Sequence, residues 1–233
     1  MDDQRNPAVS IAQVTAAWSR IEAWLRTHAP ASAALLRPPA GDTDIAAVEE
    51  AIGVAFPPAL RAWYGLHDGI DDPAAGTSWW PAGFLPGHQG WYRLEQLQDA
   101  YVVQIRDWER EPGRIPISCT PGDIWYGRYI DARPDEPSYG NLGRWAVDEE
   151  PEPIPTFTSG WPLEAWLTEL ADALEQGRCL IEPNGRRDQY TWPVLTVCGG
   201  LTWVDPRDER LLPKGGMLLN GPRSTARQPA LGD

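Results

Sequence analysis

Long apolar runs, cysteines and targeting signals are scarce or absent in this sequence. No run approaches the roughly 18–20 apolar residues that a bilayer-spanning helix needs, which excludes a membrane-embedded protein. The first seven residues lack the basic and apolar segments of a signal peptide. The chain has three scattered cysteines, Cys119, Cys179 and Cys198, and no C-x-x-C motif. This number and spacing exclude a disulfide framework. We therefore expect a cytoplasmic protein.

Catalytic, metal-binding and phosphate-binding motifs are also missing. The three histidines, His28, His67 and His88, lie far apart without a nearby ligand set, which argues against a zinc site. No glycine-rich segment has Walker or Rossmann spacing. Glu49 and Glu50 are adjacent on a predicted helix and point about 100° apart, so they do not form a carboxylate pair. We expect no cofactor, no metal and no enzymatic activity.

Positive charge is scarce and unevenly distributed. The chain has 20 Lys and Arg against 33 Asp and Glu, a formal charge of −13, which excludes nucleic acid as a direct ligand. Residues 1–178 carry 13 Arg and 27 Asp and Glu, whereas residues 179–233 carry seven basic and six acidic residues. We predict a main domain over residues 1–178 and a C-terminal extension over residues 179–233. The extension is predicted to form a β-hairpin turned at Gly199-Gly200, followed by a disordered tail beyond Lys214.

The acidic residues cluster in three predicted loops. One cluster contains Asp68, Asp71 and Asp72, and the others span residues 131–136 and 148–152. These loops are either solvated segments whose charge keeps the protein soluble, or a surface that attracts a basic partner protein.

The spacing of apolar residues predicts helices at both ends of the main domain and short strands between them. The predicted helices cover residues 11–25, 45–52, 58–64, 95–108 and 163–174, and the predicted strands cover 115–119, 124–131 and 142–147. Ser10 is the predicted N-cap of the first helix, and Gly53 and Gly177 are predicted helix ends. The fold class is therefore α+β, with a central, mostly antiparallel or mixed sheet flanked by N-terminal and C-terminal helices.

Tryptophan is abundant, with 13 residues. Three of them fall on predicted helix stripes and are expected in the core: Trp18, Trp63 and Trp166. Trp125 and Trp145 fall in strands, where either face is possible. Trp79, Trp80 and Trp91 lie in or beside a loop rich in Gly and Pro, and are candidates for an exposed surface that binds protein or sugar. The alternative is that these side chains fold back over the core.

Five short motifs follow one another in a consistent order. They are Trp18-x-x-Ile21-Glu22-x-x-Leu25, Ile45-x-x-Val48-Glu49-x-x-Ile52-Gly53, Phe56-Pro57-x-x-Leu60-x-x-x-Tyr64, Asp68-Gly69 and Glu164-Ala165-Trp166-Leu167. Together they resemble the SMI1/KNR4 (SUKH) superfamily over roughly residues 10–178. Phe56 and Asp68 stand where the family pattern has Leu and Asn, and both keep the physical role of the position.

The resemblance implies an α+β fold and a domain without chemistry of its own. It implies structural roles for Trp18, Glu49, Pro57, Tyr64, Gly69 and Trp166. Bacterial members of the family act largely as immunity proteins that neutralise a polymorphic or contact-dependent toxin, often a nuclease or deaminase. Fungal members regulate cell-wall synthesis through protein contacts.

Combining the resemblance with the residue patterns, we predict a monomeric, non-enzymatic protein-binding domain. The leading hypothesis is a bacterial immunity protein that meets a basic toxin domain. The predicted contact residues are Asp68, Asp71, Asp72, Trp79, Trp80 and Trp91. The alternatives are a regulatory scaffold of the SMI1/KNR4 type, and a saccharide-binding or hydrolytic domain that uses Trp79, Trp80 and a carboxylate.

Overall fold

The computed structural model describes residues 6–122, 125–155, 158, 160–188, 191–205 and 217–218. Its α-helices are α1 (Pro7–His28), α2 (Pro30–Ala33), α3 (Asp42–Ile52), α4 (Pro58–Tyr64), α5 (Leu94–Arg106) and α6 (Leu163–Gln176), and a 3-10 helix spans Trp80–Ala82. Its strands are β1 (Gly90–Trp91), β2 (Arg114–Cys119), β3 (Tyr126–Asp131), β4 (Asn141–Ala146), β5 (Glu152–Pro153), β6 (Trp161–Pro162), β7 (Trp192–Leu195), β8 (Leu201–Val204) and β9 (Met217–Leu218).

The strands form two antiparallel sheets. The larger sheet has the order β1-β2-β3-β4-β5, and β6 also pairs with β4. The smaller sheet has the order β8-β7-β9. Helices precede and follow the larger sheet, which confirms the predicted α+β class.

The first helix begins earlier than the sequence pattern predicts. Asn6 is its N-cap, since the side-chain oxygen accepts the N–H of Ala8 at 3.1 Å, and Pro7 occupies the first helical position. Ser10 therefore lies inside α1, where its hydroxyl donates to Glu164 Oε1 at 3.1 Å. The prediction of Ser10 as N-cap is wrong because Asn6-Pro7 provides a better start.

Four tryptophans form the centre of the hydrophobic core. Trp18, Trp63, Trp91 and Trp166 are each at most 2% exposed. Trp63 and Trp91 are stacked with centroids 4.0 Å apart, and Trp18 meets both rings edge-on. Such offset and edge-to-face pairs add to the energy of burial. The predicted core positions of Trp18, Trp63 and Trp166 are confirmed.

Glu49 fixes the connection between α3 and α4. Its carboxylate accepts the backbone N–H of Phe56 at 2.7 Å and a guanidinium N–H of Arg61 at 2.6 Å. Pro57 then caps α4 with an extended backbone, and Pro58 begins the helix. An acid at Glu49 is thus needed to order the chain between two helices.

Gly69 and Tyr64 meet at the same carbonyl group. The Tyr64 hydroxyl donates to the backbone oxygen of Tyr92 at 2.9 Å. Gly69 has a φ of +63°, and a Cβ at this position would lie 2.4 Å from the same oxygen. Only glycine suits this close approach and positive φ. Burial raises the pKa of Tyr64, so its hydroxyl stays protonated as a donor.

The hairpin of the C-terminal extension packs on the core of the main domain. β7 and β8 pair as predicted around the turn at Gly199-Gly200. The buried Ser32 hydroxyl donates to the Pro81 oxygen at 2.7 Å and accepts the N–H of Leu201 at 3.0 Å. Trp203 is 1% exposed and its indole N–H donates to the Phe84 oxygen at 2.8 Å.

The predicted disorder beyond Lys214 does not extend to β9. Met217 and Leu218 pair with β7 there. The other residues of the predicted tail lie outside the described part of the chain.

Candidate binding site

A cavity of about 400 Å³ lies between α5, the β1–β2 edge of the larger sheet and the loop that carries Trp79. We call it the aromatic cavity, because five aromatic side chains line it: Trp79, Trp91, Tyr92, Trp108 and Trp145. Its volume is in the range of small-ligand and side-chain pockets. Trp108 and Trp145 contact each other across its wall with centroids 5.8 Å apart.

Gln104 supplies a buried polar group to this apolar cavity. The residue is 4% exposed, and among the described residues its side-chain Nε2 has no hydrogen-bond partner. A buried amide without a partner costs about 1–3 kcal/mol. Gln104 thus brings one donor group and one acceptor group to the lining of the cavity.

Carboxylates stand at the rim of the aromatic cavity. Asp72 and Asp99 both line it and are exposed. Asp72 lies 3.4 Å from the Arg93 guanidinium, whereas Asp99 forms no ion pair with any described residue. No Lys or Arg is among the described residues that line the cavity. The local field therefore favours a cation and repels an anion.

A second cavity on the other side of α5 continues this acidic surface. It shares Asp99 with the aromatic cavity and adds Asp44, Asp68 and Glu95, with Arg37 as its single basic lining residue. Together the described linings of the two cavities contain five carboxylates and one guanidinium. The exposed ridge of α5 between them, which we call the α5 ridge, carries Glu95 and Asp99, of which Glu95 is paired with the Arg93 guanidinium at 3.3 Å.

Two of the predicted acidic contact residues have structural partners. Asp68 accepts the N–H of Leu94 at 2.8 Å, at the start of α5, and binds the Arg37 guanidinium at 3.1 Å. Asp71 binds the same guanidinium at 2.6 Å. The hydrogen bonds to Asp71 and then Asp68 raise the pKa of Arg37 despite its partial burial. These carboxylates are largely neutralised, and Asp72 is the member of the cluster that reaches the aromatic cavity.

The three candidate loop tryptophans have different environments. Trp79 is 44% exposed and lines the aromatic cavity. Trp80 is half-buried, with its ring 4.7 Å from that of His88, whose pKa is lowered by burial. The expectation that Trp91 is exposed is wrong. It belongs to β1 and stacks on Trp63, so only a part of its ring reaches the cavity wall.

The structure also shows the environments of Asp131, from the second acidic cluster, and of the two tryptophans predicted in strands. Asp131 is buried, not in a solvated loop, and binds Arg133 at 2.5 Å and the Ser138 hydroxyl at 2.7 Å. Trp145 is buried, whereas Trp125 is 64% exposed just before β3.

Sequence reasoning missed the contribution of α5 and its flanking residues to the cavity. The missed lining residues include Gln96, Asp99, Gln104 and Trp108. Residues 96, 99, 100, 103 and 104 follow steps of three and four and share one face of α5. The apolar spacing of Leu97, Tyr101 and Ile105 indicates a neighbouring face of α5 instead.

The described residues offer neither a metal centre nor a membrane-spanning helix. They contain no group of three or more His, Cys, Asp or Glu placed to hold a metal ion. None of their helices combines the length and the apolar character needed to cross a bilayer.

The antiparallel central sheet, the flanking helices and the connection held by Glu49 define a particular class of α+β domain. The chain belongs to the SMI1/KNR4 family (SUKH-1), whose sequence profile matches residues 39–169. It is also 28% identical over 144 residues to a KNR4/SMI1 homolog from Kluyveromyces lactis. That match covers 60% of this chain but only 26% of the relative, so the chain spans about a quarter of the relative's length. The resemblance seen in the sequence motifs is confirmed.

Proposed function

We propose that this chain is a non-catalytic protein-binding domain that acts in the cytoplasm as an immunity protein and neutralises a basic toxin domain. The observation that carries the proposal is an aromatic cavity whose rim is acidic and whose described lining has no basic residue. Such a site combines the two features of a strong protein interface, an apolar anchor pocket and a complementary electric field.

The charge of the chain supports a basic partner. A net charge of −13 accelerates encounter with a cationic domain, and the α5 ridge concentrates carboxylates beside the aromatic cavity. A nuclease or deaminase that binds nucleic acid has a basic surface that this ridge would cover.

The chemistry of the cavity supports binding rather than catalysis. Cys119 is its one nucleophilic side chain among the described lining residues, and none of these is a histidine that would activate the thiol. Asp72 and Asp99 are both exposed at the rim, so neither is a buried carboxylate facing the interior of the cavity.

The decisive experiment is co-expression with a toxin encoded beside the gene. We expect growth arrest by the toxin to be rescued by the wild-type chain and by Trp125→Ala, an exposed tryptophan outside the cavity lining. Rescue should be lost in the double variant Trp79→Ala with Asp99→Asn. Absence of any toxin-like neighbouring gene, or failure of the wild-type chain to rescue growth, would overturn the proposal, and rescue by the double variant would exclude the aromatic cavity as its binding site.

A regulatory scaffold is the second candidate function. It is favoured by the match to the much longer KNR4/SMI1 homolog of Kluyveromyces lactis. A scaffold would bind a partner that is not toxic, and deletion of the gene would then change the physiology of a strain that carries no toxin gene. The saccharide-binding alternative loses support, because Trp80 is half-buried and packs on His88, which leaves less of its ring available to stack on a sugar.

A further inference from the structure

We infer that the aromatic cavity binds the guanidinium group of an arginine side chain presented by the basic partner. This inference rests on the proposed function, since it names the chemical group through which the partner is anchored. Three properties of the cavity lead to it: its aromatic walls, its charge and the buried carboxamide of Gln104.

The walls favour a planar cation over other groups. Indole and phenol faces attract cations, and five aromatic side chains surround the space. A guanidinium stacks flat against an indole and is more weakly hydrated than an ammonium group, so it loses less hydration on entering an apolar space. The absence of basic residues from the described lining, together with Asp72 and Asp99 at the rim, disfavours anions.

Gln104 supplies the hydrogen-bonding partner that a guanidinium needs. Its carboxamide is buried and lines the cavity. The Oε1 atom of this carboxamide is an acceptor, which suits the N–H groups of a guanidinium. The glutamine amide is neutral, so it accepts this bond without introducing a buried charge of its own.

The chain already contains an arginine held by the same chemistry. The guanidinium of Arg128 lies 5.5 Å from the ring centroid of Trp166 and donates to Gln89 Oε1 at 2.6 Å. An indole face and a glutamine oxygen thus bind an arginine inside the fold. The aromatic cavity offers the same pair of groups to an arginine from outside.

The test uses small probes that differ in the group at the end of the side chain. Nα-acetyl-arginine methylamide and its citrulline analogue have nearly the same shape, but citrulline has a neutral urea group. We expect saturable shifts of the Trp79 and Trp108 indole N–H signals in NMR titrations with the arginine probe. Binding of the citrulline probe should be about tenfold weaker or more, and the lysine analogue should fall between them.

Gln104→Leu provides the matched variant, with Gln98→Leu on the same helix as its control. Gln98 lines only the second cavity, so its loss should leave the titration unchanged. Gln104→Leu should weaken the arginine probe about tenfold, with an unfolding midpoint that is unchanged or raised because a buried amide is removed. Equal binding of citrulline, no saturable shift, or equal effects of the two variants would overturn the inference.

These outcomes separate the inference from the proposed function. If the chain neutralises a toxin, and Gln104→Leu neutralises it equally, the arginine anchor is wrong while the immunity role stands. If the arginine probe binds as expected but no toxin is neutralised, the cavity chemistry stands and the immunity role fails.

Discussion

The indole rings of Trp63 and Trp91 lie stacked, with centroids 4.0 Å apart and planes 11° from parallel. Trp63 belongs to α4 and Trp91 to β1, so this pair joins the helical part of the domain to the edge of the larger sheet. The pair also forms one side of the aromatic cavity through Trp91. Core packing and the candidate binding site therefore share a residue.

Removal of the Trp91 ring should destabilise the protein strongly. Trp91→Ala leaves a void beside Trp63 and Trp18, and we expect a loss of about 3–5 kcal/mol in the free energy of unfolding, measured by urea denaturation. Trp125→Ala removes the same ring from a 64% exposed position and should cost less than about 1 kcal/mol. Similar losses for both variants would contradict the core role of Trp91.

Glu49 should be far more important for stability than its neighbour Glu50. Glu49→Ala leaves the N–H of Phe56 without its acceptor and the guanidinium of Arg61 with only its longer contacts to Asp42, and should cost about 2–3 kcal/mol in the free energy of unfolding. Glu50 is exposed, so Glu50→Ala should change the free energy of unfolding by less than about 0.5 kcal/mol. Thermal and urea unfolding of the two variants provide the comparison, and equal values would refute the structural role.

A methyl group at Gly69 should be poorly tolerated. Gly69→Ala combines a φ of +63° with a Cβ only 2.4 Å from the Tyr92 oxygen, and we expect a loss of about 3 kcal/mol or more. Gly76 has a φ of +80°, but a Cβ there meets nothing within 4 Å. Gly76→Ala should therefore show only the conformational cost of about 1–2 kcal/mol. The difference between their urea midpoints isolates the steric contribution, and no difference would exclude it.

Asp131 should contribute a component of stability that disappears in acid. Burial alone would raise its pKa, but hydrogen bonds from Arg133 and Ser138 together hold the pKa below its ordinary value. Because the folded pKa is the lower one, this stability is fully present above the unfolded pKa of about 3.9 and is lost as pH falls through the folded pKa.

The matched variants for this prediction are Asp131→Asn and Asp135→Asn. Asp131→Asn should lower the free energy of unfolding by about 2 kcal/mol at neutral pH. The difference in the free energy of unfolding between this variant and the wild type should become smaller as the pH falls below about 4. Asp135 is exposed, so its variant should follow the wild-type curve throughout. If the difference in the free energy of unfolding between Asp131→Asn and the wild type stays constant with pH, Asp131 is not the source of the acid-sensitive stability.

Most secondary structure could be predicted because it depends on local patterns. The helix ends at Gly53 and Gly177 and the hairpin turn at Gly199-Gly200 agree with the structure. The start of α1 was misplaced although Asn6 followed by Pro7 is a local signal for it. The contact of Ser10 with Glu164 joins residues distant in sequence, so no local pattern reveals it.

The candidate site was only partly predictable. Asp72 and Trp79 were identified from composition, and both line the aromatic cavity. Asp68 and Asp71 looked equally available in sequence, but Arg37 lies 31 and 34 positions away and neutralises them in the fold. Gln104 carries no signal of its own, since a glutamine on a helix is ordinary until its burial is known.

The hydroxyl of Ser32 joins segments that lie on both sides of the family match. The match covers residues 39–169, so Ser32 precedes it and Leu201 follows it, while Pro81 lies within it. A chain trimmed to the matched residues would lose both Ser32 and Leu201, and the Phe84 oxygen would lose the indole N–H of Trp203. A variant for binding studies should therefore keep the chain from α1 through Val204.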